Sequence, residues 1–495
     1  MWTTSQEDDI NWPYYCMDDT RPRQGRHRNV TRILASLFIL AVVAVGGMGV
    51  AAARAAAAPP IRFISVDDVR RVLKELADIL PVELQVLPNT NADARWSAWI
   101  ADHDAHIRAR LAQGDEDTLL NWLLFGTSFT SEPRAVLDQA AASDRQALVR
   151  MTDLVGARAD DLLTALQSPG DDGRRVFARR FFEGNGFSLA TPAGVAELRA
   201  HLLMALQRVA VEQSVIAQDL AEARNSGDID AELAVRSTLY QTRGLSLDTS
   251  LAVNFAIEQA LATVKKQGLL KAGTVKRVAI VGAGLDFADR DVGLDTYPQQ
   301  TVQPFAVIDS LRKLQLAPAT ALPEVVVLDI SPRVLDHIAQ VRDRASSGGS
   351  YTLTLPLSER QNWLPAFRDY WKTFGTRIGA PVAGATNQAA VRTVRIPPAV
   401  VQRISATDLD IVAERIDGAA FDLIIATNVL VYYGALDHEL AAANIEAMLR
   451  PGGILLSNTA LPEMEAVPIE LMDSSTVRYT RGEDSDQILW YRRTM

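Results

Sequence analysis

Val278, Ala279, Ile280 and Val281 run without a break into Gly282, Ala283 and Gly284. An apolar run of this length reads as a buried parallel strand. The glycines after it let main-chain N–H groups come close to a bound molecule that any Cβ would hold off. A second run, from Glu324 to Leu328, stops on Asp329. An ionised carboxylate offers two acceptor oxygens, and Asp329 stands before Ser331 and Pro332, a pair that also starts helices. A third run, from Phe421 to Ala426, ends at Thr427 and leads into Asn428, Val429, Leu430, Val431, Tyr432 and Tyr433. Asn428, Tyr432 and Tyr433 carry amide and phenol groups that could position a substrate. His438, between Asp437 and Glu439, could serve as a base or simply sit at a capped helix start. There is no P-loop, no Ser-His-Asp pattern and no metal-ligand cluster. His103 and His106 are one helical turn apart, but Asp102 and Asp104 face other directions, so a solvated face is expected there.

These residues need a large frame. The chain has 495 residues, 48% of them hydrophobic, enough for two or three domains of roughly 150 residues. A net charge of −10 argues against a nucleic-acid surface over the whole protein, and no nucleic-acid partner is expected. Cys16 is the one cysteine, so no disulfide framework forms. Residues 1–32 are polar and read as a disordered tail. Residues 33–53 are 21 positions without a charge, long enough to span a bilayer as a helix. A cleaved signal peptide is the rival reading, given the Ala-rich stretch that follows. Arg21, Arg23, Arg26, Arg28 and Arg32 precede the run, and only Arg54 and Arg62 lie close behind it. That asymmetry places the N-terminus in the cytoplasm and the rest outside.

Residues 61–268 show helical periodicity, as in Val69, Val72, Leu73 and Leu76, broken at Pro133, Gly170, Gly186 and Gly227. An α-helical domain is expected, with separate helices over 93–111 and 117–124. Arg174, Arg175, Arg179 and Arg180 could meet phosphate or anionic lipid, but charge runs are usually solvated faces. The segment 121–129, rich in aromatics, reads as core ending in a helix stop at Gly126. Residues 274–495 alternate strands and helices, which is an α/β pattern.

Taken together, the pieces of 274–495 resemble the core of class I S-adenosylmethionine (SAM)-dependent methyltransferases. The resemblance implies a Rossmann-like, mostly parallel sheet ending in an antiparallel hairpin, here over 475–480 and 487–492. It implies SAM as cofactor, with Gly282 and Gly284 under its methionine and ribose parts. Asp329 would accept from the ribose hydroxyls, Asp408, after a strand over 401–408, from the adenine amino group, and Thr427 would also touch the cofactor. The alternative for Thr407 and Asp408 is that they cap a helix running to Ile416. Residues 421–453, with the loop from Asn428 to Tyr433, Asn444 and the Pro451, Gly452, Gly453 turn, resemble chemotaxis-receptor (CheR-type) methyltransferases over about 35 residues. Ile280 stands where many members have an acidic residue, and Asp286 takes the third glycine position. The 45 positions from Gly284 to Asp329 exceed the ~20 of a compact unit. Two insertions, 286–303 and 348–398, with Trp363, Tyr370 and Trp371 in the second, are expected to form a lid and substrate pocket. The expected function is a membrane-anchored SAM-dependent methyltransferase with an unknown acceptor. Its rivals are an exported, non-catalytic scaffold that keeps the fold and a nucleotide-dependent oxidoreductase. A cytoplasmic cofactor and an outward-facing C-terminal region stand in conflict.

Overall fold

The computed structural model describes residues 60–494, apart from 79, 88–92, 136–144, 227–243, 248, 250, 289–293, 360, 383–389 and 483. The expected tail over 1–32 and membrane helix over 33–53 lie outside the described residues. Within them, no helix is long and apolar enough to cross a membrane.

The chain opens with β1 (Ile61–Phe63) and α1 (Val66–Glu75). Ser65 and Asp68 form a capping box at the start of α1, which buries Val66, Val69, Val72 and Leu73. Then follow α2 (Asp93–Phe125), α3 (Arg145–Gln167), α4 (Gly173–Gly184) and α5 (Pro192–Ser226). The expected break inside α2 does not occur. Gly114 stays within the helix and lets another backbone pass: a Cβ there would lie 1.9 Å from the Leu245 carbonyl oxygen. Trp122, Leu162, Phe182 and Leu198 are among the residues that close the core of this helical region. Arg158 is fully buried and donates to the carbonyls of Leu123 and Gly126 at the end of α2 and of Glu132 and Pro133 in the loop beyond it.

After α6 (Leu251–Lys266) the α/β part runs as β2 (Arg277–Val281), α7 (Gln303–Lys313), β3 (Glu324–Asp329) and α8 (Pro332–Ser346). It continues through β4 (Tyr351–Leu357), α9 (Pro365–Thr373), β5 (Ala380–Val382), β6 (Ala390–Ile396) and α10 (Pro398–Val401). Next come β7 (Ile404–Asp408), β8 (Glu414–Ile416), β9 (Phe421–Ala426), α11 (Ala435–Met448) and β10 (Leu449–Ser457). It closes with β11 (Ile469–Arg478) and β12 (Ser485–Arg493).

Seven strands form one sheet in the order β7, β3, β2, β9, β10, β12, β11. The first five are parallel, and β12 runs antiparallel to both β10 and β11 between them. The central strands are apolar throughout because both faces are covered. Val278, Ile280, Val325, Val327, Leu423 and Ile425 face α6, α7 and α8. Ala279, Val281, Leu328, Ile424 and Ala426 face α1, α11 and the first half of α2.

The expected hairpin is present, but β11 starts at Ile469 rather than 475. Its first half is exposed, carries Glu470 and Asp473, and shifts register between Leu471 and Asp473, so it has no clean alternation. No helix runs to Ile416; that segment is β8, paired with β1. The 348–398 insertion is not a loose lid. It folds as a three-stranded antiparallel sheet, β4, β6, β5, with α9. Trp363 and Tyr370 are buried in the main core, where Phe367 stacks on Trp363 at 4.6 Å and meets Phe255 edge-on at 5.5 Å.

Candidate functional site

The carboxyl ends of β2, β3, β7 and β9 meet where the strand order reverses, between β2 and β9. Open α/β sheets bind ligands at such a point. Gly282 and Gly284 follow β2 with φ of 65° and 71°. A Cβ on Gly282 would come within 2.4 Å of Val429 Cγ2, so this turn takes glycine on two counts.

Asp329 ends β3 and is 6% exposed. Its Oδ1 accepts from the Ser331 N–H at 2.9 Å, while Oδ2 is buried with no donor. Burial pushes its pKa up to about 7, assisted by the charge of Asp408 and opposed by the N–H groups of Ser331, Ala283 and Ile330. A buried acceptor without a partner beside an open glycine turn fits a ligand that brings hydroxyl donors. Asp408 pairs with Asp329 in the ladder and ends β7. Its Oδ1 accepts from Arg108 Nη1 of α2 at 2.8 Å.

Thr427 is buried, and its hydroxyl accepts from Gln303 Nε2 at 3.0 Å, tying the end of β9 to the start of α7. Asn428 has a φ of 60°, a conformation Asn tolerates better than most residues. It is exposed, and its N–H donates to Asn458 Oδ1 at 2.8 Å. Tyr432 and Tyr433 are held by the helical region instead. Arg110 Nη1 donates to the Tyr432 carbonyl at 2.9 Å, and the Ser246 N–H lies 3.4 Å from the Tyr432 hydroxyl. Tyr433 is 5% exposed and stacks on His103 with ring centroids 6.4 Å apart. Burial raises the Tyr433 phenol well above its ordinary range, so it stays protonated. Of the three candidates on this loop, Asn428 faces solvent. His438 Nε2 donates to the Leu430 carbonyl at 2.6 Å and so braces the loop.

The helical region supplies more of this neighbourhood than its sequence suggests. His103 is not on a solvated face: it continues a stack from Trp96 and Trp99, and its Nδ1 lies 3.7 Å from Asp437. Nor is the arginine cluster simply solvated. Arg174 is buried and donates to the carbonyls of Phe287 and Tyr297, and Arg175 donates to that of Ser128. The 286–303 loop, expected as a lid, is clamped here. Buried Asp295 accepts from Trp122 Nε1, from the Thr127 N–H and hydroxyl, and from the Ser128 hydroxyl. A cleft of about 430 Å³ opens at the end of β3, lined by Arg108, Leu111, Asp115, Phe181, Ile330 and Pro332. Arg108 and Arg110 were missed in the sequence, since charges on a long helix look like its wet side. Among the described residues, no group of three or more His, Cys, Asp or Glu is placed to hold a metal ion.

The strand order, with one antiparallel strand inserted next to the last, decides the architecture. The strand order is that of the class I methyltransferase fold. No family model and no curated protein matches the sequence. Similar solved structures include NodS, an N-methyltransferase from Bradyrhizobium japonicum, at 14% identity and a TM-score of 0.25, covering 48% of this chain and 97% of that one. Another is a TehB-like SAM-dependent methyltransferase from Corynebacterium glutamicum, at 12% identity and a TM-score of 0.22, covering 50% and 100%. A third is the magnesium protoporphyrin IX methyltransferase of Synechocystis with bound SAM, at 12% identity and a TM-score of 0.24, covering 56% and 97%.

Proposed function

We propose that this protein is a SAM-dependent methyltransferase whose acceptor approaches at Asn428. The observation that carries the reading is the insertion of β12 antiparallel between β10 and β11, which favours a methyltransferase over the parallel order of dinucleotide-dependent oxidoreductases. Asp329 Oδ2 would take the ribose hydroxyls, the Gly282 to Gly284 turn would admit the adjoining part of the cofactor, and Asp408 would take the adenine amino group. Ile330 offers an apolar wall on the cleft side. SAM supplies an electrophilic methyl group on a sulfonium. The protein's own task is then alignment and exclusion of water, with a base only where the nucleophile carries a proton. The bracing of residues 430–433 by Arg110, His103 and His438 supports such alignment.

Calorimetric titration of the full chain with SAM and S-adenosylhomocysteine tests this, alongside Asp329→Ala. The expected result is affinity in the ~micromolar range, weakened at least ~10-fold in the variant. A folded protein that binds neither compound overturns the proposal and leaves a non-catalytic scaffold as the better account.

The same reading takes residues 33–53 as a single-pass membrane anchor, on the strength of 21 uncharged positions. Membranes washed with alkaline carbonate should retain the chain. Its release into the wash would sink the anchor.

A further inference from the structure

The Asp104–Arg108–Asp408 chain joins the helical region to the edge of the cofactor site. Arg108 Nε lies 2.8 and 3.0 Å from the two oxygens of Asp104, one turn earlier on α2. Arg108 Nη1 reaches Asp408 Oδ1 at 2.8 Å and lies 3.5 Å from the Ile330 carbonyl oxygen. Arg108 Nη2 is 3.9 Å from Glu414. Arg108 also lines the 430 Å³ cleft together with Ile330. Asp408 itself is 55% exposed in its side chain, and it is Oδ1 that meets Arg108.

An exposed carboxylate on its own swings among rotamers and is solvated on both oxygens. A guanidinium is planar, and once one edge is fixed the other edge has a set direction. Asp104 holds Nε here, so Arg108 presents Nη1 to one oxygen of Asp408 and leaves the other for a ligand's donor. Asp329, opposite Asp408 in the ladder, leaves one buried oxygen free in the same way. Two neighbouring acceptors at one sheet edge match the two donor sets of an adenosine, its ribose hydroxyls and its ring amino group.

We propose that Arg108 is a positioning residue for cofactor recognition: it orients Asp408 so that the site selects a 6-amino purine over a 6-oxo purine. The inference rests on the methyltransferase reading and adds to it a residue of the helical region. Arg108 acts through Asp408, so its signature is a loss of discrimination and not only a loss of affinity.

The test is calorimetric titration of the full chain with S-adenosylhomocysteine and with its 6-oxo analogue, S-inosylhomocysteine. Wild type should favour the amino compound by about tenfold or more, the scale of one charge-assisted hydrogen bond at a partly exposed site. Arg108→Ala should bring the ratio to within about threefold, chiefly by weakening the amino compound. Asp408→Asn should do the same, and the double variant should lose no more than either single one, because the two residues act as a unit. Arg108→Lys keeps the charge but not the planar fork. It should retain less than half of the wild-type preference, and it decides the matter if the alanine variant does not fold. An unchanged ratio in the folded Arg108 variant overturns the proposal, as does an equal loss for both compounds, which marks a purely structural role. Wild type that binds neither compound removes the methyltransferase reading itself. Wild type that binds both equally removes only the assignment of Asp408 and Arg108.

Discussion

Asp329 is held in a state that suits a ligand better than it suits the fold. Its ordinary pKa of 3.8 is raised to about 7 by burial. Between about pH 4 and 7 the folded protein therefore holds a proton that the unfolded chain has released. Stability falls as pH rises through that window and levels off above it. The difference is on the order of 4 kcal/mol at most, at 1.36 per pH unit. Asp329→Asn should flatten this slope and raise the melting temperature at pH 8, while weakening S-adenosylhomocysteine. A variant that melts lower at pH 8 would refute the account. Hydroxyl donors favour the ionised form, so cofactor binding should release a proton near neutral pH and tighten from pH 6 to 8. Titration in buffers of different ionisation enthalpy measures that release directly. At Gly282, a methyl group meets Val429 at 2.4 Å with φ at 65°. Gly282→Ala should cost about 1–3 kcal/mol in denaturant unfolding and disturb the Asn428 loop. An alanine variant of wild-type stability and affinity would refute the tight approach of Val429 to this turn.

Between elements, the clearest device is the carboxylate of Asp295. It collects four donors from the end of α2 and the turn after it, and so pins the 286–303 loop to the helical region. Asp295→Ala leaves the buried Trp122 Nε1 without its acceptor and removes the partner of Thr127 and Ser128, and should destabilise by about 1–3 kcal/mol in urea unfolding. It should also open the loop to limited proteolysis; a variant cut no faster than wild type would argue against the clamp. Such pairings explain what could be read in advance. The strands β2, β3 and β9 were legible because burial on both faces leaves an unbroken Val, Ile and Leu run. Asp329 and Asp408 were legible because they end strands. The β4 to β6 sheet was passed over although Tyr351, Leu353, Leu355 and Leu357 alternate with Thr352, Thr354 and Pro356, a period of two. Arg108, Arg110 and Asp295 carried little local sign: Arg108 has Asp104 four residues earlier, but the partners that tie these residues to the rest of the fold lie 167 to 322 residues away.

At the scale of the whole molecule, helices from both ends of the helical region pack directly on the sheet. β1 pairs with β8, α1 and Trp96 pack with α11 against the sheet, and α6 lies on the opposite face. The orientation of any anchor therefore carries the whole site to one side of the membrane. Arg62, just behind the uncharged run, is already paired with Asp68 and Asp417 inside the fold. Five arginines before the run favour an inward N-terminus. A SAM-dependent enzyme needs the opposite, with the folded part on the cytoplasmic side. Cys16, the one cysteine in the chain, sits ahead of the run and reports on this directly. If the protein methylates in the cell, a membrane-impermeant maleimide should label Cys16 in intact cells. Labelling only after permeabilisation would place the site outside and turn the reading toward binding without methyl transfer. A mature chain that has lost Cys16 altogether would replace the anchor with a cleaved leader and the same outward site.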